Sequence, residues 1–85
     1  MRYSLEFTAS AAREFRSLER RLQQRISDKL LELCDNPFPA GAKKLQGERD
    51  HYRIRIGEYR VIYRIEKNRV VIVIVQIGHR REVYR

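Results

Sequence analysis

Two hydrophobic periods run along this chain, a helical one in its first half and an alternating one in its second. Tyr3, Leu5 and Phe7 alternate with Arg2, Ser4 and Glu6, which predicts an opening strand buried on one side. The spacing then lengthens: Ala11, Phe15, Leu18 and Leu22 recur at helical intervals, and Ile26, Leu30 and Leu33 continue the stripe. Arg13, Arg16, Arg20, Arg21, Arg25 and Lys29 fall mostly off it. Thr8 or Ser10 is placed to cap the start. No Gly or Pro lies between Ser10 and Asn36, so the pattern admits one long helix or a helical hairpin bent near Glu19 to Leu22. Asp35-Asn36-Pro37 ends the helical part, because proline disfavours helix in the residue before it and cannot extend the hydrogen-bond ladder.

After a connector holding Pro39, Gly41, Gly47 and the pair Lys43-Lys44, the period becomes two. Tyr52, Ile54 and Ile56 alternate with Arg53 and Arg55; Gly57-Glu58 supplies a tight turn; Tyr59, Val61, Tyr63 and Ile65 alternate with Arg60, Ile62 and Arg64. Glycine at the first central position suits the turn type that hairpins prefer, which sets Ile56 opposite Tyr59 and Arg55 opposite Arg60. Like charges directly opposite one another destabilise a sheet. A face that keeps that pair, with Arg53 and Arg64 beside it, is suited to a negatively charged partner, although alternation of this kind also describes an ordinary solvated sheet face. Lys67-Asn68 turns into Val70 to Ile77, apolar at nearly every position, as expected of a strand covered on both sides. Gly78 and His79 break it, and a short basic and aromatic tail follows. The predicted fold class is α+β: an N-terminal strand, a helical hairpin or one long helix, then a three- to four-stranded antiparallel sheet with helices on one face, all in a single domain over residues 1–85.

Charge sharpens this picture. Residues 1–42 carry seven Lys or Arg against six Asp or Glu, and residues 43–85 carry twelve against five, so nearly all of the net +8 belongs to the stranded half. Clustered basic charge is the electrostatic footprint of a nucleic-acid partner, and an acidic protein would feel the same field. The lone cysteine, Cys34, excludes an internal disulfide and falls in the leucine-bearing helix, where a buried inert thiol is expected. No stretch reads as a signal peptide or is apolar for long enough to span a bilayer, which predicts a cytoplasmic protein without membrane contact.

The segments Ala42-Lys43-Lys44-Leu45-Gln46-Gly47, Tyr52-Arg53-Ile54-Arg55, Glu58-Tyr59-Arg60-Val61-Ile62-Tyr63 and Gly78-His79-Arg80-Arg81-Glu82-Val83-Tyr84 occur in the order found in the RelE/ParE toxin superfamily, and the chain resembles its RelE branch most closely over essentially its whole length. That resemblance implies the toxin of a type II toxin–antitoxin pair, an endoribonuclease that cuts messenger RNA in the ribosomal A site with no metal or other cofactor. It also implies a RelB-like antitoxin as partner, with operator DNA bound only by the toxin–antitoxin complex. Matched motif by motif, the working residues implied are Arg53, Arg55, Arg60, Arg80 and Tyr84. The basic residues Lys43, Lys44, Arg64 and Arg81 are read beside them as further RNA or ribosome contacts.

One departure bears on mechanism. RelE-like proteins usually carry lysines where Arg53 and Arg55 stand, and arginine, unlike lysine, is always charged and cannot accept a proton. Attack of the 2′-hydroxyl on the adjacent phosphate needs a proton acceptor and a donor, which leaves His51, His79 or Tyr84 as candidates, or an enzyme that relies on charge stabilisation and on the ribosome to align the RNA. Two other classes compete: a ParE-like inhibitor of DNA gyrase, and a catalytically weak relative that only binds antitoxin or nucleic acid.

Overall fold

The computed structural model describes residues 2–79. Strand β1 (Ser4–Phe7) leads into helices α1 (Ala9–Arg16) and α2 (Arg20–Asp35), followed by β2 (Lys43–Lys44), β3 (His51–Ile56), β4 (Tyr59–Glu66) and β5 (Val71–His79). The strands form one five-stranded sheet in the order β1-β5-β4-β3-β2. This is larger than the antiparallel sheet expected, because β1 joins it, parallel to β5, with Leu5 beside Ile72 and Phe7 beside Ile74.

The helical stretch is two helices, and side chains make the break in place of Gly or Pro. Ser17 Oγ donates to the Glu14 carbonyl at 2.7 Å, and Gln23 Nε2 reaches back from α2 to the Phe15 carbonyl at 2.9 Å. The same two carbonyls also accept the Ser17 and Leu18 backbone N–H groups at 3.2 Å, so the end of α1 is tightened and satisfied locally and the chain can turn. At the other end Thr8 is the cap, its Oγ1 accepting the Ala11 N–H at 3.2 Å. α1 also serves β5: the register slips between Ile62 and Tyr63, and the backbone there finds partners on α1, the Val75 carbonyl accepting from Thr8 Oγ1 and the Ile77 N–H donating to Glu14 Oε1.

Alternation sorts the sheet as expected. Ile54, Ile56, Val61, Tyr63, Ile65, Ile72, Ile74 and Ile77 join Ala11, Ile26, Leu30 and Leu33 in the core under the helices. Cys34 is buried too, and burial raises its thiol pKa, consistent with an inert side chain. Val71 and Val73, on the side away from the helices, are each only 5% exposed. They lie between Ser4 and Glu6 on β1 and Glu66 and Arg64 on β4. An ion-paired chain crosses that side, Arg64 to Glu66 at 2.7 Å, Arg69 to Glu66 at 2.8 Å and Arg69 to Glu6 at 2.9 Å. The stems of these arginines are apolar enough to shelter the valines.

Both turns are sharp. Gly57 opens the β3–β4 hairpin at φ +61°, the left-handed region, as the expected turn type requires. Strand β5 starts at Val71 and not at Val70, because Val70 completes the preceding turn at φ +56°. A β-branched residue is held there at a cost of about 1–3 kcal/mol. Val70→Asn, which tolerates that conformation, is expected to leave stability unchanged or raise it by about 1 kcal/mol in thermal melts. A fall in Tm would show that the half-buried valine side chain outweighs its backbone strain.

Candidate nucleic-acid interface

β3 is flanked by β2 on one side and β4 on the other, and these pairings determine which cations meet. Lys43 lies opposite Arg53, Arg53 and Arg55 share a face two residues apart, and Arg55 lies opposite Arg60. The hairpin register is the one expected from Gly57. Among the described residues, no carboxylate lies within ion-pair distance of Lys43, Arg53 or Arg55, and the buried Arg53 Nε has no hydrogen-bond acceptor.

The face away from the helices is thus divided. Arg64, expected among the RNA contacts, instead donates to Glu66 through Nε and Nη2 and belongs to the neutralised half. The bonds from Arg64 and Arg69 hold the Glu66 carboxyl below the usual carboxylate range. Lys43, Arg53 and Arg55 of the β2–β3 half have no such counter-charge among the described residues, so their field is directed outward.

Arg60 differs from expectation. Alternation puts it on the polar face, where a solvent-exposed side chain is the expectation, yet it is only 5% exposed. β4 is an interior strand, and Arg60 sits between Arg55 and Gly78. Arg55 on β3 is exposed and Lys44 lies on the outer strand β2, also exposed.

The histidines are separated from the arginine cluster. His51 begins β3, opposite Arg64, and its Nδ1 lies 2.7 Å from the Arg49 carbonyl. Four residues of strand separate it from Arg55, about 13 Å at 3.3 Å per residue. His79 lies opposite Tyr59 and meets its ring edge-on at 5.5 Å, on the side of the sheet away from Arg60. Arg80, Arg81 and Tyr84 lie outside the described residues. Among the described residues no group of three His, Cys, Asp or Glu side chains is arranged to hold a metal ion, and no helix is long and apolar enough to cross a membrane.

The sequence reading missed α2's contribution. A cleft of about 380 Å³ runs between α2 and β3, lined by Lys29, Pro39, Gly41, Lys43, Arg53, Ile54 and Arg55. The Arg25 guanidinium lies against the hairpin turn, with Nη1 3.0 Å from where a Cβ on Gly57 would stand. The signal was present in the helical stripe, which leaves Arg25 and Lys29 four residues apart on one flank.

Comparison with known proteins places this small α+β sheet, with helices packed on one side, among the toxins of type II toxin–antitoxin systems. Residues 5–84 match the model of the ParE toxin of type II toxin–antitoxin systems. The mRNA interferase toxin RelE of Escherichia coli K12 is 33% identical over 88 residues, covering 99% of this chain and 92% of the relative. The intact E. coli RelBE toxin–antitoxin complex contains a chain that superposes with a TM-score of 0.81 at 30% identity, over 91% of this chain and 95% of that one. The archaeal RelE–RelB complex of Pyrococcus horikoshii gives 0.81 at 29% identity, over 94% and 97%. The chain belongs to the RelE/ParE toxin superfamily, and the three relatives just named are of the RelE kind.

Proposed function

We propose that this toxin, acting as one domain, cleaves messenger RNA on the ribosome, with Arg53, Arg55 and Arg60 gripping the phosphate at the cut. The observation that carries the reading is the contrast within one sheet face: Lys43, Arg53 and Arg55 have no carboxylate partner among the described residues, while Arg64 is neutralised beside them. A guanidinium binds phosphate oxygens through two parallel N–H donors and stabilises the extra negative charge of the transition state. Attack by the RNA's own 2′-hydroxyl needs no metal. Arg80 and Tyr84, brought in by the family resemblance, complete the proposed set as a further phosphate contact and a stacking or proton-donating phenol. Lys43 and Lys44 hold flanking RNA. The partner is a RelB-like antitoxin, as in the E. coli and Pyrococcus complexes, whose toxin chains this one resembles; an acidic or amphipathic segment laid on the cationic edge would block it.

Neither histidine is assigned a proton-transfer role, since one is held at the far end of β3 and the other against Tyr59. His51→Ala is therefore expected to leave cleavage within about twofold of wild type, with a pH–rate profile flat between about pH 5 and 8. A lost bell-shaped limb in the variant would restore His51 to the mechanism.

The test of function is a purified translation reaction with mRNA ends mapped by primer extension. Codon-phased cuts that need ribosomes support the nuclease. The family-model match is to ParE, which favours as second reading an inhibitor of gyrase. Intact mRNA together with blocked supercoiling would select that reading.

A further inference from the structure

We propose that the cleft between α2 and β3 is a second phosphate subsite, adjoining the one at the cut, and that Lys29 of α2 is its helix-borne member. The inference rests on the RNA-binding reading above and extends it from the strands onto the helix. Three elements deliver cations to this one cavity: Lys29 from α2, Lys43 from β2, and Arg53 and Arg55 from β3, with no acidic side chain in its lining. Arg53 lines it incompletely satisfied, its Nε buried without an acceptor among the described residues. A guanidinium so placed gains from an anion at its outer nitrogens. Lys29 is ion-paired to Glu32 at 3.5 Å with both side chains well exposed, and such a pair is weak enough to give way to a phosphate.

Geometry gives the subsite a direction. Arg53 and Arg55 lie about 7 Å apart along the strand, close to one nucleotide step of an extended single strand. Arg55 also faces Arg60, so a phosphate held there has its neighbour beside Arg53, Lys43 and Lys29. Beyond the cleft, toward the hairpin turn, the next hollow of about 280 Å³ is lined by Asp28 and Glu32 beside Arg25, Lys29 and Arg55. Its two carboxylates make it less favourable to phosphate than the first cleft, which has none.

The experiment measures binding of a short fluorescent 2′-O-methyl RNA, which lacks the attacking hydroxyl, by anisotropy from about 50 to 200 mM salt. Lys29→Ala should weaken binding several-fold and lower the magnitude of the salt slope by about 0.7, the value for one phosphate contact on a single strand. Lys29→Arg should keep both. A methylphosphonate placed at one linkage should abolish the difference between wild type and Lys29→Ala at that linkage alone. Unchanged affinity and slope in Lys29→Ala, or no measurable binding by wild type, would overturn the subsite. So would equal losses in Lys29→Arg and Lys29→Ala. Wild-type cleavage on ribosomes is scored separately: its absence with the Lys29 effect intact removes the nuclease and leaves the subsite standing.

Discussion

Arg60→Ala is expected to slow ribosome-dependent mRNA cleavage by about 10²–10³-fold, the usual effect of removing one preorganised donor from a developing negative charge. Its burial is what makes the expected effect large. A side chain only 5% exposed is shielded from water, and its charge acts more strongly on a nearby phosphate than an exposed one would. Arg55, opposite it and exposed, lacks that shielding, and Arg55→Ala should cost less, about 10–10²-fold. Stability should separate the two variants from simple unfolding. Removing either arginine relieves the like-charge pair by about 0.2–1 kcal/mol, while Arg60→Ala also loses the contacts of a buried side chain, so its net change should stay within about 2 kcal/mol. Arg60→Lys keeps the charge and most of the stem but not the planar fork, and should recover only part of the rate. If Arg60→Ala melts like wild type and cuts at the wild-type rate, Arg60 has no part in the chemistry.

The difference between Arg55 and Arg60 also marks where the sequence stops being informative. A period of two puts both on the polar side, and Gly57 sets them opposite each other; both facts are local, and both could be read from the chain. Burial of Arg60 is a tertiary property that alternation does not encode, and an interior strand does not by itself produce it, since Arg64 on the same strand and face keeps a side chain 35% exposed. The parallel pairing of β1 with β5 is invisible for the same reason: residues 4–7 and 71–74 are far apart in the chain and carry no mutual mark. Two misses were nearer to hand. Arg64 and Glu66 are two apart on one strand and hence on one face, which foreshadows their ion pair. Gln23 lies just past the end of α1, within reach of carbonyls that any helix end must satisfy. The candidate site was legible as a face of the hairpin; the stripe put Arg25 and Lys29 on one flank of α2, but only the tertiary fold brings Lys29 and Arg53 into the lining of one cleft.

Tyr63→Ala should be the most damaging single change to the fold, costing about 3–5 kcal/mol, a large part of the 5–15 typical of a domain. Tyr63 is fully buried and its ring stacks on Tyr52 at 5.8 Å, while Tyr52 meets Phe38 edge-on at 5.4 Å. Its hydroxyl donates to the Pro37 carbonyl at 2.8 Å. One side chain therefore ties β4 to the start of the connector that leads through Pro39 and Gly41, two walls of the cationic cleft, to Lys43. Tyr63→Phe keeps the ring and removes only the hydroxyl, leaving a carbonyl without its partner at about 1–3 kcal/mol. It has a second signature at high pH. Burial, and next the neighbouring Tyr52, push the Tyr63 phenol from 10.0 up to about 12. A raised value means that the folded state holds this proton more tightly than the unfolded chain does, so the contribution is complete below pH 10 and is lost as pH climbs toward 12. Wild type should therefore lose stability across that window and Tyr63→Phe should lose less, a difference read from urea melts at pH 9 and pH 11. Equal slopes in the two proteins would show that the buried phenol does not govern alkaline unfolding. If Tyr63→Phe also weakens RNA binding at neutral pH while its melt stays cooperative, the connector's anchorage is what holds Lys43 at the mouth of the cleft.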